Sequence, residues 1–403
     1  MRSYKYRIYP SKKHISRLNA HIGLCQEIYN ILLQKCKDTY KAENKYLSKY
    51  SLINITVNIK SDEAKFKGLY SQVIQDVCDR LTKAYTNFFR RIKEKKAGSK
   101  VKAGFPRFKK FYKSITYPQF GFKLLSDKRL HVSKIGNIPI ILHRIPKGEL
   151  KNMTIKRTQS NKWFVIFCCD LPEIEIKHIN GDKKIGIDVG IESFATLSDG
   201  TKIENPRFLV KSEKKLKRLQ RELSHKKKGS KNRNKVRIKL TRQHEKITNQ
   251  RTDFIHKISS GMVYKYGFIA IEDLNIQGMI KNHCLAKHIS DAGWNLLGRQ
   301  LSYKASSAGS IVQEIDKFFP SSQLCSECGN REDMPLSQRT FKCSKCGNIK
   351  DRDHNSAINI RNEGLRISTV GLTGINACGD TTSSLSITDK VSRVAEAGTI
   401  HDL

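Results

Sequence analysis

Four cysteines near the C-terminal end constrain this chain more than any other feature. Cys325-Ser-Glu-Cys328 and Cys343-Ser-Lys-Cys346 are two C-x-x-C pairs with fourteen residues between them, each followed at once by glycine (Gly329, Gly347). A C-x-x-C turn aims two sulfurs the same way, so two such turns can close four thiolates around one ion. Four soft sulfurs in a closed tetrahedron select zinc. The spacing lies just below the usual ribbon range. Residues 320–350 are therefore expected to form a ribbon in which Cys325, Cys328, Cys343 and Cys346 hold one structural Zn²⁺. The other seven cysteines show no pairing rhythm and read as small buried hydrophobes in a reducing compartment.

Charge narrows the partners. Of 403 residues, 76 are Lys or Arg and 37 are Asp or Glu, a formal net charge of +39. A chain this basic repels itself unless a polyanion neutralises it, and nucleic acid does so with release of counterions. No stretch approaches the roughly 20 apolar residues of a membrane-spanning helix. The start, Met1-Arg-Ser-Tyr-Lys-Tyr-Arg, lacks an apolar signal core. The chain is expected to be soluble and cytosolic, with no membrane partner.

Residues 1–9 alternate and end at Pro10, which predicts a strand. Ser11 can cap a helix through Leu18, Ile22, Cys25, Ile28, Leu32 and Leu33, and a second helix is predicted over about 69–95. Over 97–125 cations interleave with rings (Phe105-Pro-Arg-Phe108-Lys-Lys-Phe-Tyr112, Tyr117-Pro-Gln-Phe120-Gly-Phe122). Such a segment can hold phosphates while stacking bases, or it can be ordinary strand core with solvated lysines. Several short strands follow over 128–173, as a small barrel or open sheet. From 182 the pattern becomes α/β: Lys184-Ile-Gly-Ile-Asp188-Val-Gly190, with Phe194–Gly200 as a hairpin partner closed by Asp-Gly. Residues 211–246 carry 16 Lys or Arg against three Glu. They read as two basic helices joined by Lys226-Lys-Lys-Gly-Ser-Lys231, a nucleic-acid surface. Residues 366–403 lack apolar periodicity and read as a largely disordered tail.

Three acids share one setting. Asp188 ends an apolar strand, Glu272 ends another (Gly267-Phe-Ile-Ala-Ile-Glu272), and Asp353 begins a helix just past the ribbon. Carboxylates at strand ends of an α/β sheet converge on one edge, and a buried cluster of them is unfavourable unless it holds a cation. Two Mg²⁺ ions about 4 Å apart suit such a set, and the chemistry is phosphodiester hydrolysis.

The order of these acids is that of the RNase H-like nucleases, and the chain as a whole resembles the TnpB family of transposon-encoded proteins, related to the compact type V CRISPR effectors. The matching segments are Tyr70-Ser-Gln-Val-Ile-Gln-Asp, Ala84-Tyr-Thr-Asn-Phe-Phe89, Gly104-Phe-Pro-Arg-Phe-Lys109, Gly186-Ile-Asp-Val-Gly190, Ile271-Glu-Asp-Leu274, Ser290-Asp-Ala-Gly-Trp294, Gln300-Leu-Ser-Tyr-Lys304, Pro320-Ser-Ser-Gln-Leu-Cys325, Asp351-Arg-Asp-His-Asn-Ser-Ala-Ile-Asn-Ile360 and Gly374-Ile-Asn-Ala-Cys-Gly379. One departure is Ser356, where the family usually has Ala.

The resemblance implies a multidomain α+β and α/β protein. A wedge-type β-barrel spans 1–10 and 105–180, with a helical recognition module (11–104) inserted in it. A RuvC-like nuclease spans 181–319 and 351–365, with a basic helical insertion at about 206–257 and the ribbon inserted at 320–350. It implies an RNA-guided DNA endonuclease: a guide RNA from the transposon end, double-stranded target DNA, a short flanking motif, a monomer in the ribonucleoprotein and a nucleoid-associated location. Asp188, Glu272 and Asp353 become the catalytic Mg²⁺ ligands, with Asp351 as the alternative to Asp353. Gln75, Arg107, Gln119, Lys226, Lys227 and Lys228 become nucleic-acid contacts. The rival functions are a repressor or transposition accessory protein that binds without cutting, and a strand-transferring transposase.

Overall fold

The computed structural model describes residues 1–125, 128–171, 181–335 and 337–373. The chain divides into two compact units, Met1–Glu173 and Ile174–Leu403.

The first unit opens with β1 (Arg2–Ile8), and four helices separate it from the remaining strands: α1 (Lys12–Glu43), α2 (Lys49–Asp62), α3 (Ala64–Lys67) and α4 (Ser71–Lys96). Ser11 caps α1 by accepting the His14 N–H. Ser48 caps α2 in the same way. Six strands follow: β2 (Ser114–Tyr117), β3 (Phe122–Leu124), β4 (Arg129–Val132), β5 (Gly136–Ile141), β6 (Glu149–Arg157) and β7 (Trp163–Asp170). They form one seven-stranded sheet in the order β2-β6-β7-β1-β5-β4-β3. Its two edge strands, β2 and β3, are consecutive in the chain, so the sheet curls almost closed. Tyr6, Ile8, Ile115, Tyr117, Val165 and Phe167 line the interior, and one apolar core runs from the sheet into α1 and α4. Two helices were expected where four occur. The run Leu52-Ile-Asn-Ile-Thr-Val-Asn-Ile59 in α2 is rich in β-branched residues and reads locally as strand; packing on α4 overrides that preference.

The second unit begins with β8 (Lys184–Val189), β9 (Ser193–Leu197) and β10 (Lys202–Glu204). The helices α5 (Phe208–Ser224) and α6 (Lys231–Lys265) follow, then β11 (Phe268–Glu272), α7 (Ile276–Met279), α8 (Ala286–Ala292), α9 (Trp294–Ala308) and β12 (Ile311–Ile315). The chain ends its described part with β13 (Thr340–Lys342), β14 (Ile349–Asp351) and α10 (Arg352–Thr373). The main sheet has the order β10-β9-β8-β11-β12. β11 and β12 run parallel to β8 and its neighbour respectively, while β9 and β10 form an antiparallel meander. The Asp199-Gly200 turn closes β9 onto β10, with Gly200 at φ +85°, and not β8 onto β9 as the sequence had suggested.

The faces of this sheet differ. Ile185, Ile187, Ile269 and Ile271 point to one side and pack with Leu297 and Leu301 of α9 and with Ile255, Met262 and Val263 of α6. Burying each such side chain stabilises by about 1.5–3 kcal/mol. The other side is floored by α10. A Cβ on Gly186 would sit 2.1 Å from the Ala357 carbonyl oxygen, and one on Gly364 would sit 2.6 Å from the Ala270 Cβ. Helix and sheet therefore meet closely at two glycines, Gly186 against the α10 backbone and Gly364 against the Ala270 methyl. Helix α10 extends through 366–373, where the sequence reading began its unstructured tail. The rest of that segment, with the 374–379 motif, lies outside the described residues.

Candidate active site and metal centre

The alternation of a strand fixes where Asp188 and Glu272 project. Gly186 and Ala270 face α10, so Asp188 and Glu272, two residues further along, face the same side. The strands β8 and β11 are adjacent and parallel, with Ile187 opposite Ile271, which sets the next residues, Asp188 and Glu272, level at the C-terminal edge. Helix α10 runs back along that face with Ala357, Arg361 and Gly364 over the strands. Its first turn, which carries Asp353, is thereby brought to the same edge.

The electrostatics report this meeting. The Asp188 carboxyl is held well above its ordinary range, first by burial and then by the negative charges of Glu272 and Asp353, against relief from Arg352 and a hydrogen bond from Ser356. Burial also raises Glu272, opposed by the Ser321 hydroxyl, which donates to Glu272 Oε1 at 2.6 Å. All three acids keep partial exposure, so the cluster opens to solvent on one side. Beyond Glu272, Asp273–Gln277 line a polar groove of about 270 Å³ with Asn295 and Lys317.

Asp351 has a different job. Its Oδ1 accepts the His354 N–H, capping α10, and its Oδ2 pairs with Lys202 Nζ at 2.8 Å. Those contacts outweigh its burial and draw its carboxyl below the ordinary range.

The four cysteine sulfurs lie within 4.8 Å of one another. Cys325 Sγ is 3.6 Å from Cys346 Sγ, and Cys328 Sγ is 3.6 Å from Cys343 Sγ. A tetrahedral zinc with bonds of about 2.3 Å needs sulfurs about 3.8 Å apart, so the set fits the ion. The two turns are copies of each other. Gly329 N–H donates to Cys325 O and Gly347 N–H to Cys343 O, with φ of +71° and +72° at the glycines. A side chain at either position would be strained. Asn348 Nδ2 reaches Cys325 Sγ at 3.6 Å.

Sequence reasoning missed the residues that join these two places. Asn355 of α10 donates to Leu324 O (2.6 Å) and accepts the Ser326 N–H (2.9 Å). Asn359, one turn on, donates to Leu324 O and to Ser321 O. Both asparagines are buried. Two amides four apart, alternating with Ala357, Ile358 and Ile360 on α10, were the available signal, since buried polar side chains need partners.

The expected nucleic-acid contacts are all exposed. Lys226, Lys227 and Lys228 sit in the turn between α5 and α6, where Arg233 Nη1 ties off the end of α5 through Leu223 O and Lys226 O. In the first unit Arg107 stands free of the core. The segment that carries Gln119 is tied to α4 by the Phe120 N–H, which donates to Gln72 three residues before Gln75. The ring-and-cation segment divides between its two readings. Tyr117 is fully buried, while Phe105, Phe108, Phe111 and Phe120 remain exposed. Lys37 lies over the Phe105 and Phe108 rings.

Comparison with known proteins matches three stretches of the chain. Residues 166–283 match the family OrfB_IS605, described as "Probable transposase". Residues 294–360, which include the ribbon, match the Cas12f1-like TNB domain. Residues 1–45 match a helix-turn-helix domain of the OrfB_IS605 group, although 12–43 form one continuous helix here. A Streptomyces pristinaespiralis protein named "Putative RNA-guided DNA endonuclease" is 34% identical, covering 94% of this chain and 91% of that protein. InsQ of Escherichia coli K12, which carries the same description, is 30% identical over 92% of this chain and 94% of its own length. A Cas12f1–sgRNA–target DNA complex aligns with 90% of the chain and 98% of its own at 17% identity and a TM-score of 0.35, too loose a superposition to build on. Among the described residues no helix is long and apolar enough to cross a membrane.

Proposed function

The chain belongs to the TnpB family, and from that premise we propose that it is an RNA-guided DNA endonuclease whose cutting site is the carboxylate cluster of Asp188, Glu272 and Asp353. The observation that carries the reading is the raised Asp188 carboxyl, pressed by two acids that come from separate parts of the chain. Structural ion pairs lower carboxylate pKa values; a buried carboxyl raised by two neighbouring acids marks a candidate cation site. The order β10-β9-β8-β11-β12, with acids on β8 and β11 (first and fourth of these strands along the chain) and on the last helix, supports an RNase H-like (RuvC) nuclease.

Asp188, Glu272 and Asp353 would hold Mg²⁺, which when bound supplies Lewis acidity toward the phosphate and a nucleophile at neutral pH. The chain's own residues prepare for it. The parallel register sets Asp188 and Glu272 level, α10 delivers Asp353, and Ser321 and Ser356 each donate to one carboxylate, opposing the rise that burial imposes. Asp351, already committed to a cap and to Lys202, is left out of the set. The four cysteines would hold Zn²⁺ in a purely structural role, because a closed sulfur shell has no open position. The α5–α6 hairpin, with exposed Lys226–Lys228, and the first unit, with Gln75, Arg107 and Gln119, supply contacts to guide RNA, heteroduplex and flanking DNA. In such systems base pairing reads the sequence and the protein reads shape and a short motif. The guide comes from the transposon end, and the working particle holds one copy of the chain.

The test is the purified protein–RNA complex with matched duplex DNA and Mg²⁺. Wild type hydrolyses the target without joining ends, and Asp188→Ala binds RNA and DNA as before but does not cut. Joined products would point to a transposase, and tight binding with no cleavage by wild type to a repressor.

A further inference from the structure

Between the carboxylate edge and the cysteine cluster lies a chain of buried polar groups that neither site uses directly. Ser321 is 6% exposed, and its hydroxyl ends on Glu272 Oε1. The carbonyl of the same residue accepts from Asn359 Nδ2 at 2.8 Å. That amide also donates to Leu324 O at 2.7 Å, and Asn355 Nδ2 donates to the same oxygen at 2.6 Å. Two donors saturate a carbonyl, so Leu324 O is fixed in position as well as satisfied. Asn355 Oδ1 then takes the Ser326 N–H. Leu324 and Ser326 flank Cys325, so both chain neighbours of a cysteine ligand are gripped by the helix that carries Asp353.

Elsewhere the ribbon is held by the β13–β14 pair and by surface contacts such as Ser344 with Glu332. Among the described residues its buried apolar core is Cys325, Met334, Phe341 and Cys343, and two of those are candidate ligands. A core this small needs a staple to stay folded. Removing the ion would therefore loosen the turn at Cys325, and the slack has one well-defined route inward: Leu324, then Ser321, then Glu272.

We propose that Ser321, Asn355 and Asn359 are positioning residues that make the carboxylate site's affinity for its divalent cation depend on metal in the cysteine cluster. This rests on the reading of Asp188, Glu272 and Asp353 as the divalent site. Hydrogen bonds that orient a metal ligand are worth about 10–100-fold in metal affinity. Removing the Ser321 hydroxyl and emptying the ribbon act on the same bond, so their effects do not add.

The experiment measures Mn²⁺ binding by electron paramagnetic resonance on the full chain, zinc-replete and zinc-depleted, with zinc quantified by elemental analysis. In wild type, zinc depletion weakens Mn²⁺ binding about tenfold. Ser321→Ala weakens it by a similar factor while keeping its zinc, and zinc depletion of that variant adds less than about twofold. Ser321→Thr, which keeps the hydroxyl, restores wild-type affinity and coupling. Unchanged Mn²⁺ affinity in Ser321→Ala overturns the proposal, as does a zinc effect of full size in that variant. Asp188→Ala separates the two levels: if it still binds Mn²⁺ as wild type does, the carboxylate assignment itself falls, whereas the preceding failures sink the relay with that assignment intact.

Discussion

Replacing Gly186 by Ala adds one methyl group at the most crowded contact in the second unit. The new Cβ would lie 2.1 Å from Ala357 O, 2.6 Å from Arg361 N and 2.8 Å from Arg361 Cβ. The first two atoms are the acceptor and donor of one helical hydrogen bond, so the methyl drives into the wall of α10. Neither is the end of a flexible side chain. Restoring a contact of about 3.4 Å from 2.1 Å requires α10 to retreat by roughly 1.3 Å, or β8 to buckle. Overpacking of this kind costs about 1–3 kcal/mol. For a unit of this size that lowers the melting temperature by about 2–4 °C per kcal/mol. The same retreat carries Asp353 away from Asp188 and Glu272, and a misplacement of about 1 Å costs on the order of a hundredfold in rate. Differential scanning calorimetry and a single-turnover cleavage assay on the RNA-bound protein read the two effects. RNA affinity should be unchanged, since Gly186 lies buried inside the sheet of the second unit. A Gly186→Ala protein that melts and cuts like wild type would refute the packing of α10 on β8 and the delivery of Asp353 by that helix.

Further outcomes follow from the same geometry. Asp351→Asn keeps cleavage within about fivefold, because it weakens a half-exposed ion pair worth ~1 kcal/mol and retains a capping side chain, whereas Asp353→Asn abolishes cutting; equal losses in the two would show that Asp351 is a ligand. Cys343→Ser lowers zinc content and melting temperature together, read by elemental analysis and calorimetry, and unchanged metal stoichiometry would refute four-cysteine ligation. Without divalent metal, the raised Asp188 carboxyl means that the folded state binds more protons than the unfolded one above the ordinary value of 3.8. Its contribution is thus fully present below pH 3.8 and is lost as pH rises through the folded-state pKa. Denaturant titrations should show this fall, Asp188→Asn should flatten it and Mg²⁺ should offset it at neutral pH; a variant with wild-type pH dependence would sink the assignment.

The parts of the molecule that could be read from the chain are those written in local periodicity. The C-x-x-C pairs, the amphipathic run after Ser11, the apolar strands ending in Asp188 and Glu272, and the basic helices on either side of Lys226–Lys228 all announce themselves within about a dozen residues. What stayed hidden depends on partners distant in sequence. Nothing near Ser321 marks its hydroxyl as the neighbour of Glu272, 49 residues earlier. The substitution-like Ser356 gave no sign that its side chain hydrogen-bonds Asp188. The choice between Asp351 and Asp353 looked open because both precede the same helix. A capping rule applied to Asp351 and His354, three residues apart, would have separated them. Helix α2 was missed for the opposite reason: its local signal was clear and pointed to a strand.

Because α10 both floors the sheet and carries Asp353, the proposed carboxylate site is completed last as the chain leaves the ribosome. Strands β8 and β11 emerge early, with the small surfaces of Gly186 and Ala270 bare and two acids lacking their companion. The α5–α6 hairpin, with its dense positive charge, is already complete by then. On the proposed function, a polypeptide released before Asp353 would thus grasp nucleic acid yet have no means of severing it.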